Sequence, residues 1–235
     1  MNLTHAMILA AGLGTRMRPL TETMPKPMIP VMGKPLIDWC LDFVAGGGIS
    51  QVVINSSYLP EQLEAHLSPR TQVQISREVF PPLETGGGIK KALPLLGEGP
   101  FVAMNSDAIF PPAMPHPIGA LKDAWSDALD FMLLLVPKRH ARGWAGPGDF
   151  IRRADGAIRR PNPGEDAPYV FTGVEMIHPR AFADAPDGAF SLSALWKRNA
   201  SPEGWFDRVG SVVHTGDWLN VGDLPGLDAA NRYFE

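Results

Sequence analysis

With 235 residues, 45% of them apolar and 20% charged, the chain can bury the core of one large domain. A net charge of −4 argues against a general nucleic-acid binder, which would carry a basic stripe, yet leaves room for a nucleotide held by a few local cations. The single cysteine, Cys40, excludes an intrachain disulfide and a cysteine-type zinc site.

The apolar run near the amino end is short and has no basic segment before it, so a signal peptide is not expected. No stretch approaches the roughly 18 apolar residues of a membrane helix, and the cytoplasm is the expected compartment. His5 to Ala10 reads as a buried strand that stops at Ala11-Gly12. Pro35 opens a helix whose apolar face carries Leu36, Ile37, Cys40, Leu41, Phe43 and Val44, and Gly46-Gly47-Gly48 ends it. Cys40 is thus expected to pack as a small core residue. Strands follow at Gln51 to Asn55, Gln72 to Ser76, Phe101 to Met104 and Asp130 to Val136. Helices are expected over Pro60 to Leu67, from Gly87 to Leu93, and around Ile118 to Trp125.

Past Val136 the pattern loosens. Lys138 to Gly148 reads as a loop, Asp149 to Arg159 as a hairpin turning at Asp155-Gly156, and Tyr169 to Ile177 as a strand. Ser193 to Asn199 is expected to be helical, Asp217 to Val221 a strand end, and Asp223 to Tyr233 a last helix capped by Asp223. The alternation predicts an α/β fold: a Rossmann-like, mostly parallel central sheet flanked by helices, with a small irregular substrate lobe. One domain, 1–235, is expected, in two halves that divide at about residue 136, the second packing on the first as the substrate lobe. In such sheets ligands sit beyond the carboxyl ends of the strands, where the loops from Ala10, Glu84 and Asn105 begin.

The first loop carries the strongest signal: Leu9-Ala10-Ala11-Gly12-Leu13-Gly14-Thr15-Arg16-Met17-Arg18-Pro19-Leu20, continuing to Pro25-Lys26-Pro27. Glycines after a strand let the backbone approach a ligand, and free N–H groups cradle phosphate. Arg16 offers a planar fork for phosphate oxygens, and two prolines stiffen the chain around Lys26. A dinucleotide fingerprint would need a third glycine where Met17 stands, and no window fits a P-loop. A lone Gly-x-Gly would read as a surface turn; the full string does not.

That string resembles the signature of the sugar-1-phosphate nucleotidyltransferases, and the later motifs recur in that family's order. The resemblance implies a nucleotidyltransferase of the GT-A-like fold. It further implies a triphosphate wrapped by Ala10, Ala11, Gly12, Gly14 and Thr15, with Arg16 and Lys26 as catalytic cations. Glu84-Thr85-Gly86, the opening of a Gly-rich helix, and Asn55 are expected on the nucleoside side. Thr85 also suits a helix N-cap. Asp107 ends an apolar strand, where the family holds magnesium; a turn cap is the rival reading. The second expected metal ligand falls on Asn220, where family members usually carry Asp, so one charge is lost.

Asn105, Asp149, Thr172 and Gly173 are the expected sugar contacts, Asp149 being equally suited to hairpin structure. Pro82 to Gly88, Lys91 to Gly97, Gly148-Asp149-Phe150 and Thr172-Gly173 resemble most the N-acetylmuramate-1-phosphate uridylyltransferases of bacterial cell-wall recycling. Mannose-1-phosphate guanylyltransferases share several of these features. The implied reaction joins a nucleoside triphosphate, UTP foremost, to a sugar 1-phosphate with Mg2+, in a monomer or homodimer that binds neither nucleic acid nor membrane. A sensing protein that lost a metal ligand at Asn220, and a cytidylyltransferase acting on a cationic alcohol phosphate, are the readings from other classes.

Overall fold

The computed structural model describes residues 3–112, 115–198 and 200–235. In chain order the elements are β1 (His5–Leu9), β2 (Pro30–Val31), β3 (Lys34–Pro35), α1 (Leu36–Gly46), β4 (Gln51–Ser56), α2 (Pro60–Leu67), β5 (Val73–Arg77) and α3 (Glu84–Leu96). Then come β6 (Phe101–Asn105), β7 (Ala108–Ile109), α4 (Pro117–Ala124), β8 (Phe131–Pro137), β9 (Ala141–Arg142), β10 (Ile151–Arg152), β11 (Ile158–Arg159) and β12 (Tyr169–Ile177). The chain closes with α5 (Ser193–Trp196), β13 (Val209–Val213), β14 (Trp218–Asn220) and α6 (Leu224–Phe234).

Seven strands form one sheet in the order β13-β8-β12-β6-β1-β4-β5. All neighbours run parallel except β12, which is antiparallel to both β6 and β8. The expected mostly parallel sheet is therefore present, with one reversed strand at its centre. That reversal has a consequence for function. The carboxyl ends of β1, β4 and β6 face one edge, and β12 brings its beginning, Tyr169 to Gly173, to the same edge. Strands from before and after residue 136 thus share a single sheet.

Alternation along the strands divides the core. Ile8, Ile54 and Met104 face α1, α2 and α4 on one side. Met7, Val53 and Ala103 face the other, against Ile89, Ala92 and Leu96 of α3 and Leu195 and Trp196 of α5. The expected α1 face is buried as read, including Cys40, whose burial pushes its thiol pKa far up. A third cluster, Met17, Ile29, Val31, Leu36, Ile109, Leu219, Val221 and Ala230, underlies the first loop.

Three readings need correction. The helix expected from Gly87 begins earlier, at Glu84. Strand β13 was not expected, because Gly210 and Ser211 interrupt its apolar pattern; it pairs with β8 at the sheet edge. The helix over Ser193 onward stops at Trp196, and the last residue assigned to it, Asn199, lies outside the described residues. The hairpin about Asp155-Gly156 is present as β10 and β11, and Asp223 caps α6 by accepting from the Gly226 N–H at 2.9 Å. No helix among the described residues is long and apolar enough to cross a membrane.

Candidate active site

The loop after β1 is held from below. Met17 is fully buried in the third cluster and acts as an anchor where a dinucleotide loop would have glycine. Gly14 adopts φ 61°, and a Cβ there would sit 2.8 Å from Thr21 Cγ2 and 3.0 Å from Lys26 Cβ. The Thr21 hydroxyl donates to the Gly14 carbonyl at 2.9 Å. Gly12, by contrast, faces open space. A cleft of about 310 Å³ opens above the loop, bordered by Ala10, Gly12, Thr15, Asn55, Glu84 and Thr85. Arg16, Lys26, Asn105 and Asp107 border it too.

Lys26 lies between its two prolines on a single 3-10 turn, and its Nζ donates to Asp107 Oδ2 at 2.6 Å. A longer contact, 3.4 Å, reaches the Gly222 carbonyl. Arg16 is exposed at the rim and has no carboxylate partner among the described residues, so its fork is free for an anion. Asp107 makes no helix or turn cap with its side chain among the described residues; its carboxylate is spent on Lys26. Its backbone carbonyl accepts from the Val221 N–H at 2.9 Å, and β7 pairs antiparallel with β14 so that Ala108 faces Asn220. Strand pairing therefore puts Asp107 and Asn220 side by side.

A second cleft, about 210 Å³, continues from the first and shares Arg16, Asn105 and Asp107 with it. Asp149, Arg160, Phe171, Thr172, Gly173 and Asn220 complete much of its wall. Gly173, at φ 78°, forms the irregularity in the β12–β8 ladder, and a Cβ there would strike Asn105 Nδ2 at 2.7 Å. Thr172 is buried, and its hydroxyl donates to the Leu134 carbonyl at 2.8 Å, which fixes the bulge. Asp149 accepts from the Phe171 N–H at 2.9 Å and from Arg160 at 3.2 Å. It therefore has the structural role, tying the hairpin to β12 and orienting Arg160, while bordering the cleft.

Several expected contacts turn out to work inside the protein. Asn55 accepts from the Ala10 N–H at 2.7 Å and donates to Glu78 Oε1 at 2.7 Å, while Glu78 Oε2 accepts from the Leu83 N–H at 2.7 Å. This chain of bonds locks the first loop to the start of α3, and it uses the Ala10 N–H. Thr85 is not an N-cap; its hydroxyl accepts from the Leu192 N–H at 2.8 Å. The glycine triplet makes close approaches to protein and not to the cleft. A Cβ at Gly86 would meet the Phe190 ring at 2.2 Å, at Gly87 the Gly188 carbonyl oxygen at 2.2 Å, and at Gly88 Glu78 Oε1 at 2.7 Å. Gly86 also donates its N–H to the Phe190 carbonyl at 2.9 Å, so it does not face the ligand side.

Two site residues escaped sequence reasoning. Arg160 lies in Arg159-Arg160-Pro161 at the hairpin's end, and only the fold brings it beside Arg16; Arg159 turns away to a two-bond pair with Glu165. Glu78 carried no signal at all, being one polar residue in an irregular segment.

Residues 5–144 match the nucleotidyl transferase family model. The chain belongs to the nucleotidyl transferase family. It is 43% identical over 225 residues to N-acetylmuramate alpha-1-phosphate uridylyltransferase of Caulobacter vibrioides, covering 93% of this chain and 91% of that one. The enzyme of the same name from Neisseria meningitidis serogroup B is 35% identical over 237 residues, covering 96% of each. In fold, this transferase superposes on HddC from Yersinia pseudotuberculosis, solved in complex with GMP-PN, with a TM-score of 0.77 over 99% of this chain and all of that one, at 19% identity.

A divalent ion can be tested against the residues at the site. Among the described residues no group of three or more His, Cys, Asp or Glu could cage a metal. Magnesium, however, is usually held by one or two carboxylates together with substrate phosphates and water. Asp107, which borders both clefts, with the side-chain oxygen of the adjacent Asn220, which borders the second, fits that mode and not an all-protein cage.

Proposed function

We propose that this chain transfers the uridylyl group of UTP to N-acetylmuramate 1-phosphate, giving the UDP-sugar and pyrophosphate. The reaction serves cell-wall recycling in the cytoplasm, in a monomer or homodimer. The observation that carries the reading is the shared border of the two clefts: Arg16, Asn105 and Asp107 face both, so two phosphorylated substrates would meet beside them. The two relatives that match along nearly the whole chain support the choice of base and sugar.

In this reading a phosphate oxygen of the sugar 1-phosphate attacks the α-phosphorus in line. The new P–O bond forms as the bond to pyrophosphate breaks. The attacking phosphate is ionised at neutral pH, so no general base is needed. The residues contribute position and charge. Lys26 lies at the α-phosphate, Arg16 stabilises the leaving pyrophosphate, and Arg160 holds the sugar phosphate. Asp107 and Asn220 would hold magnesium, which would supply positive charge against the repulsion between the two anionic substrates. Asp149 keeps Arg160 aimed at the sugar side. Ala11, Gly12, Gly14 and Thr15 line the triphosphate, and Glu84 and Thr85 border the nucleoside.

The test is a matrix of nucleoside triphosphates against sugar 1-phosphates with magnesium, scored by pyrophosphate release and by the mass of the product. UTP with N-acetylmuramate 1-phosphate should give the highest kcat/KM. A higher value for GTP with mannose 1-phosphate would overturn the substrate assignment. Nucleotide binding with no release from any pair would favour the sensing protein that the loss of charge at Asn220 suggests.

A further inference from the structure

Between the two clefts lies a recess of about 160 Å³ that neither phosphate chemistry nor the nucleoside side accounts for. It shares Leu9, Thr85 and Asn105 with the first cleft and Asn105, Phe171 and Gly173 with the second. Its walls include Leu192, Trp196, Ser191 and Ser193, and Glu175 of β12 lines it too. Glu175 is buried, with 3% of the residue exposed.

Glu175 Oε2 accepts from Trp196 Nε1 at 3.0 Å. Oε1 has no partner among the described residues and keeps contact with the free space of the recess. No Lys or Arg lines the recess. Burial pushes the Glu175 pKa up to about 8, against which the Trp196 hydrogen bond works, so the group is largely protonated at neutral pH. A neutral carboxyl with a bound acceptor oxygen at one side presents an O–H donor on the other.

A donor in a recess walled in part by Phe171, Leu192 and Trp196 and holding no cation selects its guest. A carboxylate would arrive without a cation to receive it, at high desolvation cost. A bare hydroxyl would leave Phe171, Leu192 and Trp196 facing unfilled space. A carbonyl oxygen carrying a methyl group satisfies both the donor and the walls. We propose that this recess receives the acetamido substituent of the sugar, with Glu175 donating to its carbonyl oxygen and setting the preference for acylated amino sugars. The inference rests on the proposed reaction and names the part of its sugar site that reads the acyl group.

The experiment compares kcat/KM for N-acetylmuramate 1-phosphate and for its analogue with hydroxyl in place of acetamido, at saturating UTP. In Glu175→Leu the ratio of the two values should fall by about tenfold or more, as when a buried polar group loses its partner. Glu175→Gln, which keeps an N–H donor, should hold the ratio within about threefold of wild type. Ser193→Leu fills the recess from its half-buried rim without touching the buried acid, and should lower the ratio likewise even if Glu175→Leu fails to fold. A ratio unchanged in Ser193→Leu and Glu175→Leu overturns the assignment of the recess while leaving the reaction in place. A wild-type protein that turns over neither sugar defeats the proposed reaction itself.

Discussion

Lys26 Nζ stands 2.6 Å from Asp107 Oδ2, across 81 residues of sequence, with the two side chains only 11% and 20% exposed. One loop supplies the cation and the segment after β6 the anion, and each neutralises the other. Losing one transition-state charge contact costs roughly a hundredfold in turnover. Lys26→Ala should therefore lower kcat by about a hundredfold or more, as should Asp107→Ala. Steady-state pyrophosphate release, with circular dichroism to show an intact fold, checks both. Near-normal rates would remove these residues from the chemistry.

On the proposed function, Asn220 is where a change should alter the magnesium requirement. It faces Ala108 across β14 and β7 and lies beside Asp107. Asn220→Asp adds a second carboxylate where magnesium commonly finds one or two. The magnesium concentration giving half-maximal rate should fall severalfold. An unchanged requirement in a magnesium titration would mean that residue 220 does not touch the ion.

Arg160 should divide the two substrates. It borders the second cleft but not the first, and Asp149 at 3.2 Å and the Phe150 ring, 4.3 Å from its guanidinium carbon, hold it. Arg160→Ala should raise KM for the sugar 1-phosphate about tenfold and leave KM for UTP within about twofold, as loss of a charge-assisted contact to one ligand requires. Initial rates with each substrate varied separately make the comparison. Equal effects on both would place Arg160 in the general scaffold.

The order of most elements and the location of the glycine-rich loop at the first cleft were legible in the sequence because both rest on local signals. Pro35 and the Gly46-Gly47-Gly48 stop mark α1, and the glycines, Arg16 and Lys26 stand within one short segment. What was not legible depends on contacts between distant segments. The glycine triplet 86–88 reads as a ligand surface, yet Phe190, Gly188 and Glu78 fill the space that its missing Cβ atoms leave. Asn55 reads as a binding residue, yet its two polar atoms bind Ala10 and Glu78. Arg160 enters the site through the reversal of β12 and the hairpin before it, and β13 hides behind Gly210 and Ser211.

Gly88→Ala should show that packing directly. The added methyl would lie 2.7 Å from Glu78 Oε1 and 2.8 Å from Asn55 Nδ2, both buried. Displacing a buried hydrogen-bonded pair costs about 1–3 kcal/mol, and at this chain length each kcal/mol lowers Tm by roughly 2–4 °C. A thermal melt should therefore fall by several degrees. An unchanged Tm would show that the Asn55–Glu78 link is dispensable.

Glu175 gives stability a pH dependence of definite sign. Burial raises its folded pKa to about 8, above the ordinary carboxylate value near 4.5. Between those values the folded protein holds a proton that the unfolded chain has released, so stability falls as pH rises. Its favourable contribution is complete below about pH 4.5 and gone above about pH 8. Glu175→Gln removes this slope. Melts at pH 8.5 should favour the variant by a few kcal/mol, and melts at pH 4 should bring the two proteins together. A constant difference across that range would contradict a buried, protonated acid.

On the proposed function, Arg16, Lys26 and an ion on Asp107 hold a polyphosphate where β1 and β6 end. A crystal structure with a non-hydrolysable UTP analogue and magnesium tests it most directly. The triphosphate should lie over the loop of residues 10–16, with Arg16 and Lys26 within hydrogen-bond distance of its oxygens and the metal on Asp107. A triphosphate bound elsewhere, or both cations turned from it at saturating ligand, would contradict it.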